Sequence, residues 1–198
     1  MNLLIVTGTS RGLGQAIEAE FAGNGWEICP LSRPAYDLRQ PDWISGLVSR
    51  LPDAERIVFI NNAFDMQIKE SVLLSQAQIQ DSVQINITTP LALIVAILQR
   101  FPHAEIINIS SGAAARAIPN WSLYCTGKAA LSAFMRNLQA EGVKCLNYEP
   151  GVIDTAMQSQ IRAADFPGVE NFIALKDKLK SAHQVAADLF SIVSEEKY

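Results

Sequence analysis

Leu3-Leu4-Ile5-Val6-Thr7-Gly8-Thr9-Ser10-Arg11-Gly12-Leu13-Gly14 stands almost at the start of the chain, and its reading decides the fold. Four consecutive apolar residues with no polar alternation describe a strand covered on both faces. The glycines after Thr7 allow a tight turn, and Leu13, Ile17 and Phe21, four residues apart, predict a helix over residues 12–24 that Gly25 stops. A buried strand feeding directly into a helix points to an α/β protein on a parallel sheet. The first N–H groups of such a helix carry partial positive charge. The turn of Gly8, Gly12 and Gly14, with Ser10, Arg11 and Leu13 between them, therefore suits a pyrophosphate that must approach the backbone closely. Glycines also serve plain strand-to-helix turns; their place at the first such junction is what favours the dinucleotide reading.

Outward from this unit the pattern repeats. Residues 26–31, 56–61, 105–110 and 143–148 read as further strands, and a helical stretch precedes each of the last three. Ser75 with Gln78 forms a capping-box signal for a long helical segment running to Leu98. Pro90 lies inside it, which predicts a kink or break near Thr89. Residues 121–140 form a second long helix and residues 183–193 the last. No repeat, low-complexity tract or linker interrupts the series, so residues 1–198 are expected to form one domain.

Composition narrows the function classes. The 198 residues carry 16 Lys+Arg against 20 Asp+Glu, a formal net charge of −4, with no basic cluster. Nucleic acid and anionic membranes are therefore not expected partners. Cys29, Cys125 and Cys145 are an odd number without C-x-x-C spacing, so neither a disulfide framework nor a zinc site is expected, and His103 and His183 are isolated. No metal is expected. The apolar run at residues 3–6 is too short for a membrane span and lacks the basic start of a signal peptide, which makes the expected location cytoplasmic.

The chemistry-bearing residues come later in the chain. Ser110-Ser111 end one strand, and Tyr124 and Lys128 follow in the next helix at i, i+4, on one face and one turn apart. A free phenol titrates near 10, too high for acid-base work at neutral pH, and a nearby ammonium favours the phenolate and lowers that value. The set resembles the short-chain dehydrogenase/reductase family, whose signature is a T-G-x-x-x-G-x-G turn and Y-x-x-x-K with a serine upstream. Asn61-Asn62-Ala63 is similar to the family's N-N-A-G, and Pro150-Gly151-Val152-Ile153-Asp154-Thr155 to its P-G-x-x-x-T. Together the motifs run from residue 7 to residue 155 in the family's order. The stretches at residues 108–113, 124–128 and 154–176 are similar to the benzil reductase and sepiapterin reductase-like branch.

The resemblance implies a Rossmann-type doubly wound parallel sheet and reduction of a small-molecule carbonyl by a nicotinamide cofactor. Tyr124 would be the general acid and Lys128 would lower its pKa and bind the nicotinamide ribose. Ser111 would hold the carbonyl oxygen, and Asn86 would position a water linking Lys128 to solvent. Asn62, Ala63, Pro150, Gly151, Val152 and Thr155 would line the cofactor. After the second strand NAD-selective relatives carry an acidic residue, whereas here Ser32-Arg33 follow Leu31. Arg33 with Arg11 can bind a 2′-phosphate, so NADP(H) is the expected cofactor.

Departures from the family are equally legible. Only three residues separate Arg33 from Asp37-Leu38, the adenine-contacting pair, so one crossover helix is expected to be missing. The residues after the last helix are too few for the usual last strand. Phe64 replaces the glycine of N-N-A-G. Residues 156–179 follow the nicotinamide segment and carry Met157, Ile161, Phe166 and Phe172, with no obvious second helix to bury them. They are expected to form a substrate lid for an apolar ketone or diketone. Ile118, Pro119 and Trp121 are candidates for the substrate pocket and equally for core packing. The two long helices carry more apolar positions than one buried face needs, including Leu91, Val95, Leu131 and Phe134, which predicts a homodimer or homotetramer. Two rival readings remain on this fold: an NADPH-binding regulatory or scaffold protein, and an isomerase or dehydratase.

Overall fold

The apolar runs form a sheet in the computed structural model, which describes every residue except Lys197. Five parallel strands, β1 (Asn2–Thr7), β2 (Glu27–Leu31), β3 (Arg56–Asn61), β4 (Glu105–Ile109) and β5 (Cys145–Tyr148), lie in the order β2-β1-β3-β4-β5. Successive side chains on a strand face opposite sides, and each side has its own helices. Leu3, Ile5, Ile57 and Phe59 pack on one face against α2 (Ile44–Arg50), α4 (Thr89–Arg100) and α5 (Ser122–Ala140). Leu4, Val6, Val58 and Ile60 pack on the other against α1 (Gly12–Gly23) and α8 (Ala182–Ser194). Both faces are covered, which is why these strands lack a polar side. The order reverses at β1, since β2 lies on one side of it and β3 on the other, and in such sheets the crevice at that point takes the ligand.

The missing crossover element is visible at the β2 edge. Residues 32–40 contain no helix or strand, and the chain returns to β3 through the single short helix α2. Arg100 closes that helix by donating to the carbonyl oxygens of Val48 and Leu51. No strand follows α8 in the described residues. The sequence does not anticipate a small second sheet, in which β6 (Ile153–Asp154) pairs in parallel with β7 (Lys180–Ser181). It brackets α6 (Ala156–Ala163) and α7 (Val169–Ala174), the segment expected to be a lid.

The segment around Pro90 is continuous from Gln76 to Arg100 but not uniform. After α3 (Gln76–Val83), started by the Ser75/Gln78 capping box, residues Gln84–Thr88 widen into a π-helix before α4. Proline lacks an N–H and crowds the preceding turn, and the wider turn absorbs both. By length and composition this stretch could cross a membrane, but Leu93, Ile94 and Ile97 are buried on the sheet. Val83 and Val95 are exposed on its outer side. Leu131 corrects one expectation: it is buried within the protomer and offers nothing to a partner.

At the amino ends of β3 and β4, Glu105 accepts two hydrogen bonds from Arg56, at 2.6 and 2.9 Å, a third from the Tyr198 hydroxyl, and lies 3.3 Å from Lys144. Arg56 also donates to the Val193 carbonyl at 2.8 Å, so the cluster fastens α8 to the sheet. Burial pushes the Glu105 carboxyl up, but Arg56, Tyr198 and Lys144 together hold it below its ordinary 4.5. A carboxyl lowered in the fold gives stability that is full above its unfolded value and is lost as pH falls through the folded one. Glu105→Ala is therefore expected to cost about 3 kcal/mol in urea denaturation at pH 7. The deficit should shrink as both proteins are titrated below the ordinary carboxylate range.

Candidate active site

The carboxyl ends of the strands are fixed first. Thr7 Oγ1 accepts from the backbone N–H of Asn62 (2.9 Å) and Ala63 (3.0 Å), and Asn62 Nδ2 donates back to the Thr7 and Gly8 carbonyls. Beside them a buried amide row crosses the sheet. Asn61 donates to Asn108 at 3.0 Å, Asn108 to Asn147 at 2.9 Å, and Asn147 to the Ser132 carbonyl of α5.

Above this floor lies a cleft of about 540 Å³. One end is walled by backbone. Gly8 and Gly12 adopt positive φ, and a Cβ on Gly14 would stand 2.1 Å from the Gly8 carbonyl oxygen, a clash no side chain escapes. The N-cap of α1, Arg11, makes no side-chain cap, and the first turn holds no acidic residue. Its N–H groups thus remain for an anion. These features fit the pyrophosphate of a dinucleotide. Ser10, Arg11, Leu13, Ser32, Arg33, Asp37 and Leu38 line the same end.

The expectation for Asp37 needs adjustment. Its carboxylate is gripped by Arg39, with Nη2 at 2.6 Å and Nε at 3.1 and 3.2 Å, and these bonds pull its pKa down to about 2. Arg39 and Tyr36, both unnoticed in the sequence, also line the cleft. Leu38 sits in the core, and its carbonyl accepts from Thr89 Oγ1 at 2.6 Å, which anchors this loop to the π-helix junction.

Asn62, Ala63 and Thr155 lie against the glycine turn, and Pro150, Gly151 and Val152 line the same cleft, whose other end holds Ser111, Tyr124 and Lys128. Of the two serines, Ser110 is spent on Ser132, Oγ to Oγ at 2.9 Å, while Ser111 stands beside the phenol. Burial raises the Tyr124 pKa, and Ser111 draws it partly back. Burial also lowers Lys128 to about 7, and its Nζ lies 5.7 Å from the centre of the Tyr124 ring. In a dry site the neutral form of each group is favoured, so Tyr124 keeps its proton.

Asn86 does not line the cleft. It lies in the π-helix, fully buried, where Oδ1 accepts from the Asp65 N–H at 2.7 Å and Nδ2 donates to the Asp65 carbonyl and to Ser82. Its side-chain amide clamps the segment after β3.

Apolar groups close the remaining side: Phe64, Ile118, Trp121, Met157, Ile161 and Phe172 line the cleft, and Pro119 does not. The lid residues do find burial, contrary to expectation. Trp121 stacks on Phe172 at 5.1 Å and packs on Phe166 at 5.6 Å, so one aromatic ring at the start of α5 takes the place of a second helix. Trp121 Nε1 and Gln158 Oε1 are buried there without a protein partner.

The comparisons agree with this geometry. A family model described as short chain dehydrogenase matches residues 35–165. Benzil reductase ((S)-benzoin forming) of Bacillus subtilis (strain 168) is 34% identical, over 98% of this chain and 94% of its own. Sepiapterin reductase of Bos taurus is 29% identical, over 81% of this chain and 76% of its own. The crystal structure of KRED1-Pglu enzyme superposes with a TM-score of 0.88 at 23% identity, over 97% of this chain and 94% of that one, a likeness of fold. With the glycine turn, the serine, the Tyr-x-x-x-Lys pair and the sheet all in place, the chain belongs to the short-chain dehydrogenase/reductase family of oxidoreductases, whose members use nicotinamide cofactors.

Proposed function

We propose that this protein is an NADPH-dependent carbonyl reductase acting on an apolar, aromatic ketone or diketone. The observation that carries the reading is the meeting of Ser111, Tyr124 and Lys128 on one wall of a cleft whose far end is the uncapped N-terminus of α1. The similarity to a benzil reductase over nearly the whole chain supports the substrate class.

A nicotinamide cofactor held by the glycine turn, Asn62 and Thr155 would supply the hydride. Negative charge then builds on the carbonyl oxygen, and two donors preset at that point stabilise the transition state more than the ground state. Tyr124, a neutral phenol, gives its proton to that oxygen, and the Ser111 hydroxyl hydrogen bonds to it. Lys128 faces the resulting phenolate, and as an ammonium it favours that charge. Phe64, Trp121 and Phe172 hold the apolar body of the substrate and keep water out. Residues 156–179 act as the lid in this reading, since closure over the carbonyl strengthens both donors.

Preference for NADPH rests on charge. Arg11 and Arg33 line the adenine end and make no ion pair among the described residues, and the carboxylate of Asp37 beside them is already neutralised by Arg39. The exposed Val83 and Val95 on the outer side of α3 and α4 support a homodimer or homotetramer through this face.

Tyr124→Phe is expected to bind NADPH normally but to lose benzil reduction at least about a hundredfold, the usual worth of general acid catalysis. Turnover at the wild-type rate would overturn the mechanism. For the cofactor, titration by intrinsic fluorescence should give tighter binding of NADPH than of NADH. Arg33→Ala should weaken NADPH about ten- to a hundredfold, the value of one charge-assisted bond, and leave NADH unchanged. Equal dissociation constants for the two cofactors would refute the preference.

A further inference from the structure

Phe64 leaves β3 through Asn62 and Ala63 and enters the cleft against both Lys128 and Tyr124. Its ring centre lies 3.9 Å from Lys128 Nζ, and the ring meets that of Tyr124 edge-on at 5.0 Å. The ammonium makes one hydrogen bond among the described residues, donating to the Ile109 carbonyl at 2.7 Å, and no carboxylate pairs with it. An aromatic face is the negative end of a quadrupole and attracts a cation placed over it. Room for the ring comes from Gly127, inside α5. A Cβ there would stand 2.7 Å from Phe64 Cζ and 3.1 Å from Asn86 Cβ. Glycine within a helix is destabilising, so its place beneath the ring calls for a reason, and the ring supplies one. The Asn86 clamp on Asp65 holds the next residue of the same segment.

We propose that Phe64 is a positioning residue: its ring, seated in the notch left by Gly127, keeps the Lys128 ammonium charged and fixed beside Tyr124 in a site closed to water. The proposal rests on the reductase reading for its consequence, but the contact itself can be tested apart from catalysis. Burial alone drives Lys128 toward the neutral amine, and a cation-stabilising ring opposes it. Among the elements packed around Lys128, the titratable groups are Tyr124 and Cys125 on α5 and Asp65 after β3. The Asp65 carboxylate is taken by Gln67 Nε2 at 3.0 Å. β4 contributes the Ile109 carbonyl, and its Glu105 lies at the opposite end of the strand, bound to Arg56.

The test is an NMR titration of the whole chain labelled with ¹³C-lysine, the Lys128 signal being assigned by its loss in Lys128→Met. Phe64→Leu keeps an apolar side chain and removes the ring face. Removing a group that favours the charged form moves the midpoint to lower pH, here by about 0.5 to 1 unit. Phe64→Tyr should restore the wild-type midpoint. Gly127→Ala, which displaces the ring without removing it and suits a helix, should give the same acid shift and serves where Phe64→Leu fails to fold. In benzil reduction the alkaline limb of the kcat profile should move acidward by the same amount. Wild-type midpoints in both Phe64→Leu and Gly127→Ala would overturn the proposal. Shifted midpoints in the variants of a protein whose wild type reduces no carbonyl would support the contact and overturn the reductase reading.

Discussion

The row of buried amides across the carboxyl ends of β3, β4 and β5 is the constraint on which the site depends. Asn61, Asn108 and Asn147 stand opposite one another in the strand register, so each amide meets the next only in that register. A slip of one residue would turn every side chain to the other face and leave buried amides without partners, at a cost of about 1–3 kcal/mol each. With Thr7 and Asn62 joining β1 to β3, four strand ends are held level. The Gly8 turn, the Ser111 turn and the Pro150-Gly151 segment rise from that floor at fixed places. The apolar core alone would permit the sheet, but its side chains are interchangeable in a way that amides are not.

On this floor the chain places one ammonium in a dry environment and surrounds it with features that make sense only together. Lys128 is buried against the Ile109 carbonyl. Gly127 gives up a side chain, Phe64 fills the space, and Asn86 spends its amide on the backbone that carries the ring. Burial favours the neutral form of both groups, raising Tyr124 and lowering Lys128 to about 7. Proton transfer is then governed by contacts between neighbours more than by bulk solvent.

Much of this was legible in sequence because it is local. A strand, a glycine turn and a helix follow one another within residues 3–24, and Tyr124 and Lys128 share a helical face by spacing alone. The capping box at Ser75 and the disturbance near Pro90 are also local, and both appear, the second as a π-helix. What escaped depends on partners far apart in the chain. Phe64 read as a bulky intrusion because nothing near it names Gly127, 63 positions on, as the space it occupies. The amide row joins residues about 40 positions apart. The partner of the Asn86 amide, the Asp65 backbone, is likewise fixed by tertiary structure alone. Burial of the lid residues depends on Trp121, which the sequence left between core and pocket.

The account ties a dinucleotide held by the glycine turn at one end of the cleft to a carbonyl held by Ser111 and Tyr124 beside its nicotinamide at the other, and isotope transfer tests that link most directly. The protein would be given NADPH carrying two deuteriums at C4 of the nicotinamide, with benzil, in ordinary water. The account predicts benzoin with one deuterium on its carbinol carbon for each NADPH consumed, because hydride passes directly between molecules bound in one closed site while the hydroxyl proton comes from Tyr124. Benzoin without carbon-bound deuterium, or no consumption of NADPH, would contradict it.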